Sequence, residues 1–190
     1  INPSEEDIEK VRGMLGRTPM GTWMIHSYCD SNRTHPQVLK VHPLMRRKKR
    51  GDLTPMPTLY WLCCPHYQYW ISRLEGEGYI EKVNSLLENN ESMAQAFHNN
   101  NKRYIDQRWD LLSESERKFV AERSTVQDRL LRSGIGGSAN LRRIRCLHEN
   151  FAHFLATEDN VVGEYISSLG LIPPCPTCTE AAATEKNHNS

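Results

Sequence analysis

The apolar residues change period once along this chain, and that change decides what it can fold into. Up to Cys63 the hydrophobic stretches are short, rich in β-branched and aromatic residues, and bounded by turn formers: "TWMIHSYC", "QVLKVH" and "PTLYWLCC". From His66 onward apolar residues recur at helical spacing, in "YWISRLEGEG", "IEKVNSLLENN", "SMAQAFHNNNKRYIDQRWDLL" and "ERKFVAERSTVQDRLLRSG". Strands gathered early and helices gathered late specify an α+β chain, since an α/β chain would alternate them.

The strands are expected at about 22–28, 37–42 and 57–63, and the connections "SNRTHP" and "RRKKRGDLTPMP" are short enough for an antiparallel meander. A first helix precedes them: Ser4 is its cap, acids fill its first turn, and Gly16 stands where it should stop. Ser113 and Glu116 form a capping box, so residues 91–132 read as a helical hairpin. "GIGGSAN" breaks the chain before a central helix at 140–157, and "DNVVGEYISSLGL" supplies a last short one. The expected fold is α+β, a small three-stranded antiparallel sheet covered by about five to seven helices. Residues 1–172 read as a single domain, and 173–190, poor in residues to bury, as a mobile tail.

A formal charge of +1 over 190 residues shows no global pull toward nucleic acid or anionic lipid. The run "RRKKR", Arg46 to Arg50, reads as a solvated loop whose like charges repel. No apolar run approaches the roughly 18 residues of a spanning helix, and "INPSEEDIEK" lacks the apolar core of a signal peptide. A targeting segment removed from upstream of Ile1 stays open. Six irregularly spaced cysteines do not make a secreted disulfide scaffold, so the expected compartment is reducing and cytoplasmic. The partners that remain are a small anionic ligand or another protein, with no membrane and no nucleic acid.

The chemistry concentrates in "RIRCLHENFAHFLA", residues 143–156. On a regular helix Leu141, Ile144, Leu147, Phe151 and Leu155 form an apolar stripe that contains His148. Cys146, Asn150, His153 and Thr157 line the opposite face, where a solvated helix would carry Lys, Glu and Arg. That face is therefore covered or lines a pocket, and the plainest account is buried hydrogen bonding. Two chemistries compete with it. Strands one and three of a meander run the same way, which puts Cys29 and Cys64 at one sheet edge. With Cys146 and His148 they would form a tetrahedral zinc set. Against this, Cys146 and His148 lie about 200° apart on a regular helix. Alternatively Cys146 and His153 are a catalytic pair lining one cleft. Arg145 would then depress the thiol, and Asn150 would contact a ligand. Amides at Gly136 and Gly137 would seat an anion. Arg17 is a candidate partner for the helix bearing Arg73 and Glu75. "CPTC", Cys175 to Cys178, has the spacing of half a zinc knuckle with no second half.

Several stretches also resemble, in order and spacing, the domain-of-unknown-function 501 family of bacterial type: "LGRTPMG" (15–21), "YCD" around Cys29, "PTLYWLCCP" (57–65), "SRLEGEG" (72–78) and "RCLHENFAHFLATEDNVVGE" (145–164). The likeness spans roughly residues 5–171, with the basic run, "FHNNNKRY" and the C-terminal tail as additions. The resemblance implies a compact domain and no activity to inherit. The residues point to a small enzyme or ligand-binding domain whose Cys/His pocket on the 140–157 helix holds an anion or a metal, zinc being the metal that suits the ligands. The alternative is a structural or protein-interaction module with no catalytic site.

Overall fold

The computed structural model describes residues 3–46 and 52–177. Helix α1 (Glu5–Leu15) starts where the Ser4 hydroxyl accepts the Asp7 amide while the Asp7 carboxylate accepts the Ser4 amide. It ends at Gly16 with φ 69°, a left-handed cap that glycine adopts without steric cost. The chain then forms β1 (Trp23–Tyr28) and β2 (Pro36–Val41), a separate two-stranded hairpin of β3 (Leu44–Arg46) and β4 (Leu53–Pro55), and β5 (Tyr60–Leu62). The main sheet has the order β1-β2-β5 with both pairings antiparallel, so β1 and β5 run the same way. The β3–β4 hairpin occupies a connection expected to be loop. Arg46 closes β3, and the rest of the basic run lies outside the described residues.

Both faces of the sheet are covered, and the pleat decides what goes where. Leu39, Val41, Trp23 and Cys63 pack with Val11 of α1 on one face. Val38, Tyr60 and Leu62 face the helical layer on the other. That layer comprises α2 (Pro65–Gly76), α3 (Tyr79–Asn89), α4 (Glu91–Asp110), α7 (Leu147–Thr157) and α8 (Val161–Ser168), while α5 (Glu114–Ala121) and α6 (Ser124–Leu131) pack with Leu44 of β3 in a cluster of their own. The α+β class stands, with eight helices among the described residues, one more than the top of the expected range. The stretch after Ser113 breaks at Glu122 and Arg123 into α5 and α6. None of the described helices is long and apolar enough to cross a membrane.

Helix α7 packs on β5, α2 and α8, but it does not begin near residue 140. Ile144 is held by Asn84 of α3, whose amide donates to its carbonyl at 3.2 Å and whose oxygen accepts its N–H at 2.9 Å. The Leu147 N–H goes to the Glu75 carboxylate at 2.6 Å. With both groups engaged by side chains the helix starts at Leu147, and Cys146 is its extended N-cap with φ −150° and ψ 127°. The expected 200° separation of Cys146 and His148 therefore disappears.

Candidate metal centre

The four cysteine and histidine residues singled out as a zinc set are divided by the fold between two clusters. Cys29 follows β1 and Cys64 follows β5, at the same edge, as their shared strand direction requires. Around them come His35 and Cys175, not Cys146 and His148, and the ligand atoms of Cys29, His35, Cys64 and Cys175 all lie within 4.8 Å of one another. The Cys64 Sγ to Cys175 Sγ distance is 3.8 Å, and Cys175 Sγ lies 3.8 Å from His35 Nδ1. None of the described cysteines is in a disulfide.

Local chemistry places each member. The Asp30 carboxylate accepts the amides of Thr34 at 3.0 Å and His35 at 2.8 Å, and the Thr34 hydroxyl as well. This folds the β1–β2 loop back so that the Cys29 N–H reaches the His35 carbonyl at 2.8 Å. Burial works against the charge on Asp30, but the donors outweigh it and hold the carboxyl below its usual range. Cys64 is the N-cap of α2, with Pro65 opening the helix. Its neighbour Cys63 points to the α1 side of the sheet, and burial pushes that thiol up to about 12. The Cys64 thiol is shifted down: hydrogen bonding from Cys29 is the largest cause and prevails over burial, with the Tyr67 amide, His35 and Cys175 adding to it. Cys175 is 1% exposed, and His66 Nε2 meets the Pro173 carbonyl at 2.8 Å. The beginning of the expected tail is thus packed against α2. Cys178 lies outside the described residues.

The second cluster joins Cys146 and His148 to Glu75, again with all ligand atoms within 4.8 Å. His148 Nδ1 is 3.2 Å from Glu75 Oε1, and His148 Nε2 is 3.0 Å from the Ser72 hydroxyl. Burial pushes the Cys146 thiol up to about 12, against the pull of the Glu149 amide, and the Glu75 and Glu149 carboxylates add to the rise.

The remaining expected site residues go elsewhere. Cys146 belongs to the Glu75 cluster, whereas His153 is enclosed by Asn160, Tyr60 and Tyr104. His153 is 1% exposed, its Nδ1 is 3.2 Å from the Asn160 amide, and its ring packs on Tyr60 and Tyr104. Burial pushes its pKa down to about 4, so it is neutral at pH 7. Asn150 is fully buried, donating to the Cys146 carbonyl at 2.8 Å and accepting from Asn160. The covered face of α7 is covered by protein. The amides of the glycine loop are engaged within the protein: the Gly136 N–H donates to the Glu149 carboxyl at 2.8 Å, and the Gly137 N–H donates to the Gly134 carbonyl at 3.0 Å. Arg145 is exposed, and Arg17 stacks over Trp61, so Glu75 finds its partners on α7 instead.

Sequence reading missed His35 and Ser72, did not group Glu75 with Cys146 and His148, and left Cys175 in a mobile tail. The available signal for His35 was "CDSNRTH", an Asp and a Thr spaced to close a loop between a cysteine and a histidine. A family model described as a protein of unknown function, DUF501, matches residues 25–168. The chain belongs to the DUF501 family. Cys29, His35, Cys64 and the whole second cluster fall inside the matched segment, whereas Cys175 lies beyond it. No curated protein and no solved structure matches this DUF501 chain.

Proposed function

We propose that this DUF501 protein is a zinc-binding domain in which Cys29, His35, Cys64 and Cys175 hold the ion in a closed site that fastens the segment after α8 to the sheet edge. The observation that carries the reading is the spacing of the ligand atoms. A tetrahedral ion with Zn–S of about 2.3 Å and Zn–N of about 2.0–2.1 Å sets sulfur–sulfur edges near 3.8 Å and sulfur–nitrogen edges near 3.6 Å. The two distances here are 3.8 and 3.8 Å. A disulfide would instead bring the sulfurs to about 2.05 Å. Three thiolates and one imidazole complete a tetrahedron without water, the ligand set of structural zinc. Cys64 also sits at a helix N-terminus, where the backbone amides favour its thiolate.

The test is metal analysis of the full chain after dialysis against EDTA. Wild type should retain about one tightly held zinc per chain, and Cys175→Ser and His35→Ala should lose it. Protein that keeps no zinc, with a Cys64–Cys175 disulfide found by non-reducing peptide mapping, would overturn the reading.

A further inference from the structure

The second cluster has the opposite build, and its geometry points to a separate role. We infer that Glu75, Cys146 and His148 form a second, open metal site, which takes a divalent ion of the zinc class and leaves one coordination position to water or an external anion. One sulfur, one nitrogen and one oxygen within 4.8 Å of one another supply three ligands. Three protein ligands with a vacant fourth position is the arrangement that keeps zinc accessible to chemistry. The cluster has room for that position: the His148 and Glu75 side chains are 28% and 25% exposed.

Three features prepare these side chains for a cation. First, the Leu147 N–H holds the Glu75 carboxylate at 2.6 Å, so α2 and α7 are tied at the site and not merely near each other. Second, Cys146 is the extended N-cap and His148 the second residue of α7, which turns both ligands toward Glu75. Third, His148 Nε2 has Ser72 at 3.0 Å as an outer partner. When the ring proton is donated to that hydroxyl, the Nδ1 lone pair faces Glu75 Oε1 at 3.2 Å. Two acceptors at that separation repel, and a metal ion shared between them would relieve the repulsion beyond what the Leu147 N–H on the same oxygen does.

The same atoms admit a different chemistry. With the proton on Nδ1, Ser72, His148 and Glu75 stand in the order nucleophile, base and orienting carboxylate. The open metal site is favoured because it uses Cys146, for which the serine relay has no role.

The experiment separates this site from the closed one. The full chain loaded with zinc should hold about two ions, one stripped quickly by a chelator and one slowly. Glu75→Gln, Cys146→Ser and His148→Gln should each remove only the fast fraction. Cys146 makes no side-chain cap hydrogen bond and serine is a favoured N-cap residue, while glutamine keeps an acceptor for Leu147, so these variants should fold, with circular dichroism as the check. With cobalt in place of zinc, azide should shift the visible bands of wild type and leave those of Cys146→Ser unchanged. A single class of ion unaffected by the three substitutions, or bands indifferent to azide, overturns the open site. So does labelling of Ser72 by a fluorophosphonate in metal-free protein, which would assign the cluster to the serine relay. Loss of only the slow fraction from wild type would defeat the closed site and leave this one intact.

Discussion

The two clusters are built from overlapping chemistry and differ in what surrounds it. At the sheet edge Cys64 and Cys175 are 0% and 1% exposed, and sulfur supplies three of the four ligands. At the α2–α7 junction the set is one sulfur, one imidazole and one carboxylate, and the His148 and Glu75 side chains are about a quarter exposed. The thiols respond in opposite directions. Cys64 is shifted down chiefly by the Cys29 thiol, against burial, while burial with two nearby carboxylates pushes Cys146 up to about 12. A buried cysteine is thus not a ligand by virtue of burial alone, and donors around it decide whether thiolate is within reach. On the proposed reading the first cluster serves stability and the second exchange.

The largest effect should come from undoing the first cluster. At free zinc a thousandfold above the dissociation constant, a bound ion stabilises the native state by about 4 kcal/mol. For a chain of this size about 1 kcal/mol corresponds to about 2–4 °C, so Cys175→Ser, or truncation after Ile172, should lower Tm by about 8–16 °C in zinc buffer. Cys146→Ser should lower it by no more than about 2 °C, since it leaves the closed site intact and removes no cap hydrogen bond from α7. Differential scanning calorimetry of these variants reads the comparison directly. Equal shifts would erase the distinction between a closed and an open site.

A second effect must be separated from metal loss on acidification. Unfolded histidine titrates near 6.5, whereas buried His153 in the folded chain titrates at about 4. Between these values the unfolded chain binds a proton that the folded chain refuses, so stability rises with pH across this window and is level above it. The loss from pH 6.5 to pH 4 should be on the order of 3 kcal/mol, and it should persist in protein freed of metal. His153→Gln, which removes the titration and keeps a partner for Asn160, should flatten that limb. Urea midpoints against pH supply the measurement. An acid limb that vanishes with the metal would return the whole effect to the clusters.

What the sequence disclosed of this follows from which interactions are local. The switch in apolar period located the sheet and the helices, the Ser4 and Ser113 caps placed two helix starts, and the direction of β1 and β5 brought Cys29 and Cys64 to one edge. The start of α7 was hidden because it depends on Asn84 and Glu75, which are 60 and 72 residues away from the groups they hold. The asparagine run looked like an unexplained addition, yet Asn100 takes the Val161 amide and Asn101 the Ile135 amide and the Leu141 carbonyl. Asparagine is a poor helix former, so three in mid-helix were a sign of tertiary work that spacing alone could not direct. Cys175 was illegible for the opposite reason: its flanking composition is that of a tail, and contacts with Cys64, 111 residues earlier, and His35, 140 residues earlier, give it a place.

The smallest effect tests the outer partner of the open site. Ser72 is exposed and its hydroxyl lies 3.0 Å from His148 Nε2, so Ser72→Ala removes one hydrogen bond and little packing. Outer partners of ligating histidines are worth about tenfold to a hundredfold in metal affinity. Water can replace an exposed hydroxyl, which places Ser72 at the low end. The fast-exchanging ion should therefore bind about tenfold more weakly, equivalent to about 1.4 kcal/mol, with the slow ion and the Tm unmoved. Competition with a chromophoric chelator resolves a change of that size. Ser72→Thr, which restores the hydroxyl, should recover the affinity, a rescue that a role in packing would not produce. If Ser72→Ala instead weakened both ions alike, the two clusters would be coupled through α2, whose first residue follows Cys64 and whose last turn carries Glu75. The distinction between them would then be one of exposure alone.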